Sequence, residues 1–169
     1  MPVRVRQRIH KPEAKASATL RLSSATRTKL RSARVARFTT IDLRGYPHAV
    51  PVCFIYDGRY FYSPIDRKPK RIAPEKLARL RNIGQNSRVA LLVDHYEEKW
   101  SELWFVLVRG RAALVAESAR AERARAIRAL KKKYEQYRSG MLADDAVLIR
   151  IRPEKITAWV AAEAGGKIS

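Results

Sequence analysis

The chain is short of cysteine, of acidic residues and of long apolar runs, and each shortage closes off a class of function. A single cysteine, Cys53, in 169 residues leaves no internal disulfide and no cysteine-based zinc site. No apolar run reaches the roughly 18 residues that a membrane-spanning helix needs. No apolar segment follows the basic stretch 1–8, as a secretory leader would require. A cytoplasmic protein with no membrane partner is therefore expected. The patterns Gly-x-Gly-x-x-Gly and Gly-x-Ser-x-Gly are missing, as is any alternation of strand and helix signals. Both absences argue against Rossmann dehydrogenases and α/β-hydrolases. His10, His48 and His95 are scattered without ligand spacing, so no metal site is expected.

What the chain has in excess is positive charge. Thirty-six Lys and Arg against sixteen Asp and Glu give a formal net charge of +20, which favours anionic partners. Residues 1–37 carry eleven of the cations against Glu13 alone. A second group spans residues 66–88, and a third, Arg120 to Arg138, reads as the solvated face of a helix. Three groups so far apart do not define one nucleic-acid stripe. Non-specific attraction of polyanions through residues 1–37 is the weaker expectation.

Residues 1–19 lack periodicity and read as a basic, mobile arm, with a single domain over 20–169. Ser23 or Ser24 caps a short helix running to about Ala33. Val35 to Ile41 reads as a strand and Asp42 to Gly45 as a turn. His48 to Tyr56 is apolar nearly throughout, as a strand buried on both faces would be. Asp57-Gly58 predicts a type I′ hairpin, and Arg59 to Ser63 the returning strand, with Tyr60 and Tyr62 on one face and Phe61 on the other. A short helix is expected over 75–82 and strands over 89–93 and 103–115. A longer helix is expected over 117–138, with Ile127, Leu130, Tyr134 and Tyr137 facing inward. Ala146 to Ile151 is the last strand before Pro153, with 156–160 as its extension. Roughly six strands with few helices point to an antiparallel barrel or sandwich.

Chemistry concentrates in the segment Tyr62-Ser63-Pro64-Ile65-Asp66-Arg67-Lys68-Pro69-Lys70-Arg71. A strand ends in a hydroxyl residue, and a proline-stiffened loop then presents four cations in five positions. A phosphate monoester suits that mixture, because cations neutralise it while hydroxyl and amide groups orient it. The plain alternative is a solvated basic loop. Pro51 cannot donate to a sheet ladder, so its strand reads as an edge or a bulge. Cys53 reads as a small buried hydrophobe. Trp100, within the Asp94 to Glu102 loop, and Trp104, just after it, suit interface or core packing or a wall against a ring.

From Val35 to Val115 the chain resembles the pyridoxamine 5′-phosphate oxidase-like split-barrel flavoproteins, especially their probable coenzyme F420-dependent branch. The resemblance rests on Ala36-Arg37-Phe38-Thr39-Thr40 and Gly45-Tyr46-Pro47-His48-Ala49-Val50-Pro51-Val52. It continues through Phe61-Tyr62-Ser63-Pro64-Ile65-Asp66, Lys68-Pro69-Lys70, Ser87-Arg88-Val89-Ala90-Leu91-Leu92 and Arg109-Gly110-Arg111-Ala112. It implies a mainly β fold with flanking helices, an antiparallel split β-barrel, and a homodimer with FMN or the deazaflavin F420 at the interface. Val50, Pro51 and Val52 would lie along the ring, and Tyr62 and Ser63 would meet the ribityl chain or phosphate. Arg67, Lys68 and Lys70 would hold the phosphate, and Trp100 would approach from the partner subunit. The vitamin-oxidising members carry Arg where Val50 stands and Lys near Ile55; both cations are missing here. The expected function is hydride transfer between FMN or F420 and a small molecule, with no catalytic acid or base evident. The alternatives are a non-catalytic cofactor carrier or sensor on the same fold and, last, a basic nucleic-acid-associated protein.

Overall fold

The computed structural model describes residues 22–66 and 77–161. The expected N-terminal arm and residues 75 and 76 of the expected second helix lie outside them. The chain runs α1 (Ser24–Ser32), β1 (Ala36–Ile41), β2 (Pro47–Val52), β3 (Ile55–Tyr56), β4 (Phe61–Pro64), α2 (Ala78–Gln85) and β5 (Arg88–His95). A single 3-10 turn (Trp100–Glu102), β6 (Trp104–Leu114), α3 (Arg120–Lys133), a second 3-10 turn (Glu135–Tyr137) and β7 (Leu148–Val160) follow. All strand pairs are antiparallel in one seven-stranded sheet of order β2-β1-β5-β6-β7-β4-β3. The two edges, β2 and β3, are only two residues apart in sequence, so the sheet curls until its edges meet: a split β-barrel.

Local chemistry sets the turns. The Asp42 carboxylate accepts the N–H groups of Arg44 and Tyr46, both at 2.9 Å, and Gly45 takes φ +85°, which closes β1 onto β2. At the next hairpin only Gly58 has positive φ (+103°), so the expected type I′ turn does not form. A four-residue loop replaces it, because the Asp57 carboxylate draws in the N–H groups of Arg59 (2.8 Å) and Tyr60 (2.7 Å).

The run from His48 to Tyr56 is not one strand buried on both faces. It breaks at Cys53-Phe54, and in β2 Pro47, Ala49 and Pro51 are exposed while His48 and Val50 are half-buried. An edge strand with nothing layered on its outer side alternates, whatever its composition. Pro51 sits on that edge, as its missing N–H requires.

Two apolar cores lie on either side of β4. Phe61 joins Phe38, Phe54, Leu91, Val108 and Ile151 inside the barrel. Tyr62, one residue on, joins Ile127, Leu130, Tyr134 and Tyr137 beneath α3. α3 stops at Lys133, short of the expected end, because Tyr134 leaves helical geometry (φ −117°, ψ 114°). Its hydroxyl thereby accepts the Phe54 N–H at 2.9 Å and lies 2.9 Å from the carbonyls of both Arg34 and Phe54. Tyr134→Phe would leave the Phe54 amide unpaired in the core. It should cost about 1–3 kcal/mol in urea denaturation at unchanged m-value.

The expected extension of the last strand over 156–160 forms, as a continuation of β7 past Pro153. The strand reaches Val160 through an irregularity, where Arg109 pairs with Lys155 but Gly110 with Pro153, leaving Glu154 as the extra residue.

Candidate functional site

The two edge strands, β2 and β3, meet at Cys53-Phe54, and carrying the β3–β4 register one step on sets Ser63, near the end of β4, beside Phe54. Around this seam lie the ring-facing residues expected from the sequence, Val50, Pro51 and Val52. Val52 is buried and Val50 half-buried against the barrel core, while Pro51 is exposed. Ser63 is 1% exposed, and its hydroxyl oxygen has no hydrogen-bond partner among the described residues. A buried, unpaired hydroxyl costs roughly 1–3 kcal/mol, so it marks a place where an acceptor is wanted.

A polar group of Asp66, Tyr137 and Arg79 lies just past the end of β4. Asp66 is 8% exposed and accepts from the Tyr137 hydroxyl at 2.8 Å. That hydroxyl is held above its ordinary range by burial first, then by its contacts with Cys53 and Asp66. Arg79, on the first turn of α2, has a buried Nε without a hydrogen-bond partner among the described residues. Burial pulls Arg79 below its ordinary range, and the charge of Asp66 opposes that pull. His48, on the same side of β2 as Val50, also keeps a buried, unpaired Nδ1. Arg79 and the Asp66–Tyr137 bond carry no signal in the sequence. One arginine among many is unremarkable, and the bonded pair stands 71 residues apart.

Tyr62 is brought to β4 next to Ser63 but points the other way. Its hydroxyl donates to Glu122 Oε1 at 2.9 Å, beneath α3, and Arg150 holds the same carboxylate at 3.1 and 3.2 Å. Burial and the Glu122 bond both keep the Tyr62 phenol protonated well above its usual range. Arg67, Lys68 and Lys70 lie outside the described residues. Trp100 begins the single 3-10 turn after β5 and is 73% exposed, with Tyr96 at 79%.

Beside that turn an open groove of ≈ 670 Å³ is lined by Lys29, Arg34, Arg37, Asp94, His95 and Trp104, among others. Trp104 has the Lys29 ammonium over its ring at 5.1 Å and His95 stacked at 6.4 Å. The carboxylates of Glu97 and Glu102 come within 4.8 Å of His95 and of each other, a proximity the scattered sequence positions do not suggest. All three are exposed, and each carboxylate already has a partner: His95 at 3.0 Å for Glu97, and Lys99 for Glu102.

Lys133, at the end of α3, lies 3.9 Å over the Phe54 ring and donates to the Leu30 carbonyl at 3.2 Å. Burial pulls its ammonium down to about 8; Arg34 adds to the effect and Cys53 opposes it. Below pH 8 Lys133 is protonated in folded and unfolded chains alike, and its burial penalty is constant. Above pH 8 the folded chain releases the proton while the unfolded chain keeps it, so stability rises with pH. The buried tyrosines, whose ordinary value is 10.0, reverse the trend above about pH 10. Denaturation between pH 8 and 10 should show this rise, and Lys133→Met should flatten it.

The outer face of the barrel carries a cross-strand row Pro51–Arg37–Leu92–Leu107–Thr157. Beside it Phe105 and Trp159 stack at 5.8 Å. Among the described residues nothing covers this face, and Trp159 remains 46% exposed.

The comparisons with known proteins agree with this fold. A FAD-binding protein from Mesorhizobium loti is 24% identical, with 81% of this chain and 94% of that one covered and a TM-score of 0.58. A conserved hypothetical protein from Mycobacterium tuberculosis is 19% identical, with 91% and 99% covered and a TM-score of 0.64. An F420 reductase is 20% identical, with 77% and 94% covered and a TM-score of 0.55. No curated protein matches the sequence. The model of the pyridoxamine 5′-phosphate oxidase family matches residues 22–160, and the chain belongs to that family.

Proposed function

We propose that the protein is a homodimeric oxidoreductase that holds FMN or F420 at its barrel seam and passes hydride to or from a small molecule. The observation that carries this reading is the Ser63 hydroxyl, buried and unpaired at the end of β4, immediately before the cationic segment Arg67 to Arg71. A phosphate there would accept the Ser63 O–H and be neutralised by Arg67, Lys68 and Lys70. Val50, Pro51 and Val52 would bound one side of the ring, and Trp100 of a second subunit would close the other. The uncovered outer face, with Leu92, Leu107, Phe105 and Trp159, supports pairing of two copies. When bound, the cofactor supplies the hydride chemistry; the protein's part is to bind, orient and exclude water.

Val50 and Ile55 pack against the apolar cores, and neither position carries the cation that the vitamin-oxidising members have there. Oxidation of the vitamin is for that reason not proposed. The F420 reductase and the FAD-binding protein of the same fold support a flavin-type ligand. A cytoplasmic location fits such a cofactor. Anaerobic mixing of protein carrying pre-reduced cofactor with a panel of quinone and enone acceptors tests turnover. Reoxidation faster than that of free cofactor supports the enzyme. Reoxidation at the free rate, with the cofactor still bound, supports instead a carrier or sensor.

A further inference from the structure

We propose that the face formed by α1 and α3 is a docking surface for the phosphodiester backbone of double-stranded nucleic acid. Two basic groups that are far apart in sequence come together in the fold. The Arg34 guanidinium donates to the Lys133 carbonyl and lies 5.0 Å over the Tyr134 ring, while Lys133 reaches back to the Leu30 carbonyl. The C-terminal ends of α1 and α3 are thus joined, and along their lengths the two helices carry Arg27 and Arg31 on one and Arg125, Arg128 and Lys132 on the other, all exposed.

Elsewhere pairing is mixed. Arg37 pairs with Asp94, Arg111 with Glu154 at 2.9 Å, Arg150 with Glu122 at 3.1 Å and Lys131 of α3 with Asp144 at 2.7 Å, while Arg88, Arg109 and Lys155 of the sheet have no ion-pair partner among the described residues. Among the described residues none of the five helix cations has an ion-pair partner. Like charges three and four residues apart, as in Arg125, Arg128 and Lys132, cost a helix a few tenths of a kcal/mol each. Left unpaired on a chain of net charge +20, they create a field that an anionic partner relieves.

The arrangement selects the kind of anion. The cations are strewn along α3, whose 14 residues span about 21 Å, and do not converge on one point as a single phosphate would need. A duplex carries one charge per roughly 1.7 Å of its axis and suits such spreading. A lipid surface suits it less. The apolar residues Ile127 and Leu130 of α3 point into the core, and none of the exposed large hydrophobics lies in α1 or α3 to enter a bilayer. The contacts are to backbone phosphate, so binding is independent of base sequence. The proposal does not depend on the cofactor reading.

Fluorescence anisotropy of the full chain with a labelled duplex of about 25 base pairs tests it. Between about 50 and 300 mM KCl, log Kd should rise with log salt concentration at a slope of about 3–5, as three to six phosphates are neutralised. The triple variant Arg125→Gln, Arg128→Gln, Lys132→Gln keeps helix propensity. It should bind about tenfold more weakly at low salt, with the slope reduced by about 2. A matched triple elsewhere, Arg44→Gln, Arg81→Gln, Arg88→Gln, removes the same charge and should change Kd less than about threefold. Equal losses in the two triples, or no binding at the lowest salt, overturn the proposal. Loss of binding on deleting residues 1–21 with the α3 triple unaffected overturns it too. So does tighter binding to phosphatidylglycerol vesicles than to the duplex.

Discussion

Gly110→Ala should destabilise the fold by about 2–4 kcal/mol, or lower Tm by roughly 5–15 °C for a domain of this size. A methyl group placed on Gly110 would stand 2.1 Å from the Arg152 carbonyl oxygen and 3.0 Å from the Pro153 Cα. Both are backbone atoms, so no side chain can swing aside. The close approach is how β7 continues past Pro153. The strand gains one residue, Glu154, the two strands press together at Gly110, and the ladder resumes at Arg109 with Lys155. Before this point β7 pairs with both β4 and β6; after it, with β6 alone. A shift at Gly110 therefore also disturbs the strand that carries Ser63. Gly84→Ala is the paired control. A methyl group there meets nothing within 4 Å, inside α2, so that change should be neutral or stabilise by up to about 1 kcal/mol. Comparable losses from the two substitutions in thermal unfolding would contradict the packing account.

Lys68→Ala combined with Lys70→Ala should weaken cofactor binding by about 3–6 kcal/mol, at 1.5–3 kcal/mol for each charged hydrogen bond lost. That is a fall of more than a hundredfold. The figure follows from the proposed phosphate site, in which Ser63 orients the anion and the lysines neutralise it. Ser63→Ala removes a neutral hydroxyl and should cost about 0.5–1.5 kcal/mol, clearly less. The order of the two effects is itself diagnostic. If the phosphate sits elsewhere, the double lysine variant binds as the parent does, within about threefold in a fluorescence titration. Raising salt concentration should mimic the lysine variant in part, because salt screens the pairing of Lys68 and Lys70 with a phosphate but not the bond from the neutral Ser63 hydroxyl.

How far the sequence foretells all this depends on the distance between partners. α3 is legible because Ile127, Leu130, Tyr134 and Tyr137 repeat at three, four and three residues, and all four are buried. Its end is not legible, because Tyr134 leaves the helix to satisfy the amide of Phe54, 80 residues earlier. The place of the second hairpin shows in Asp57-Gly58, but its form does not, since the Asp57 side chain bonds two amides and so removes the need for a second positive φ. β2 misleads because an apolar run looks alike in a central strand and in an edge strand. Only Pro51 hints at the edge. Ser63 is foreseeable as a strand-end hydroxyl before a basic loop. That it is unpaired, and that Arg79, Asp66 and Tyr137 gather just past the end of β4, follows from packing between elements far apart in the chain. The grouping of α1 with α3 is hidden for the same reason.

The central claim is that the seam between β2 and β4 holds a flavin-type cofactor by its phosphate. Titrating the purified protein with FMN and, separately, with F420 tests this most directly, with the change in ring fluorescence as the readout. Saturation at one cofactor per chain with a micromolar or tighter Kd for at least one of the two, about −8 kcal/mol or better, is the predicted result. Failure of both to bind at that level would contradict the account.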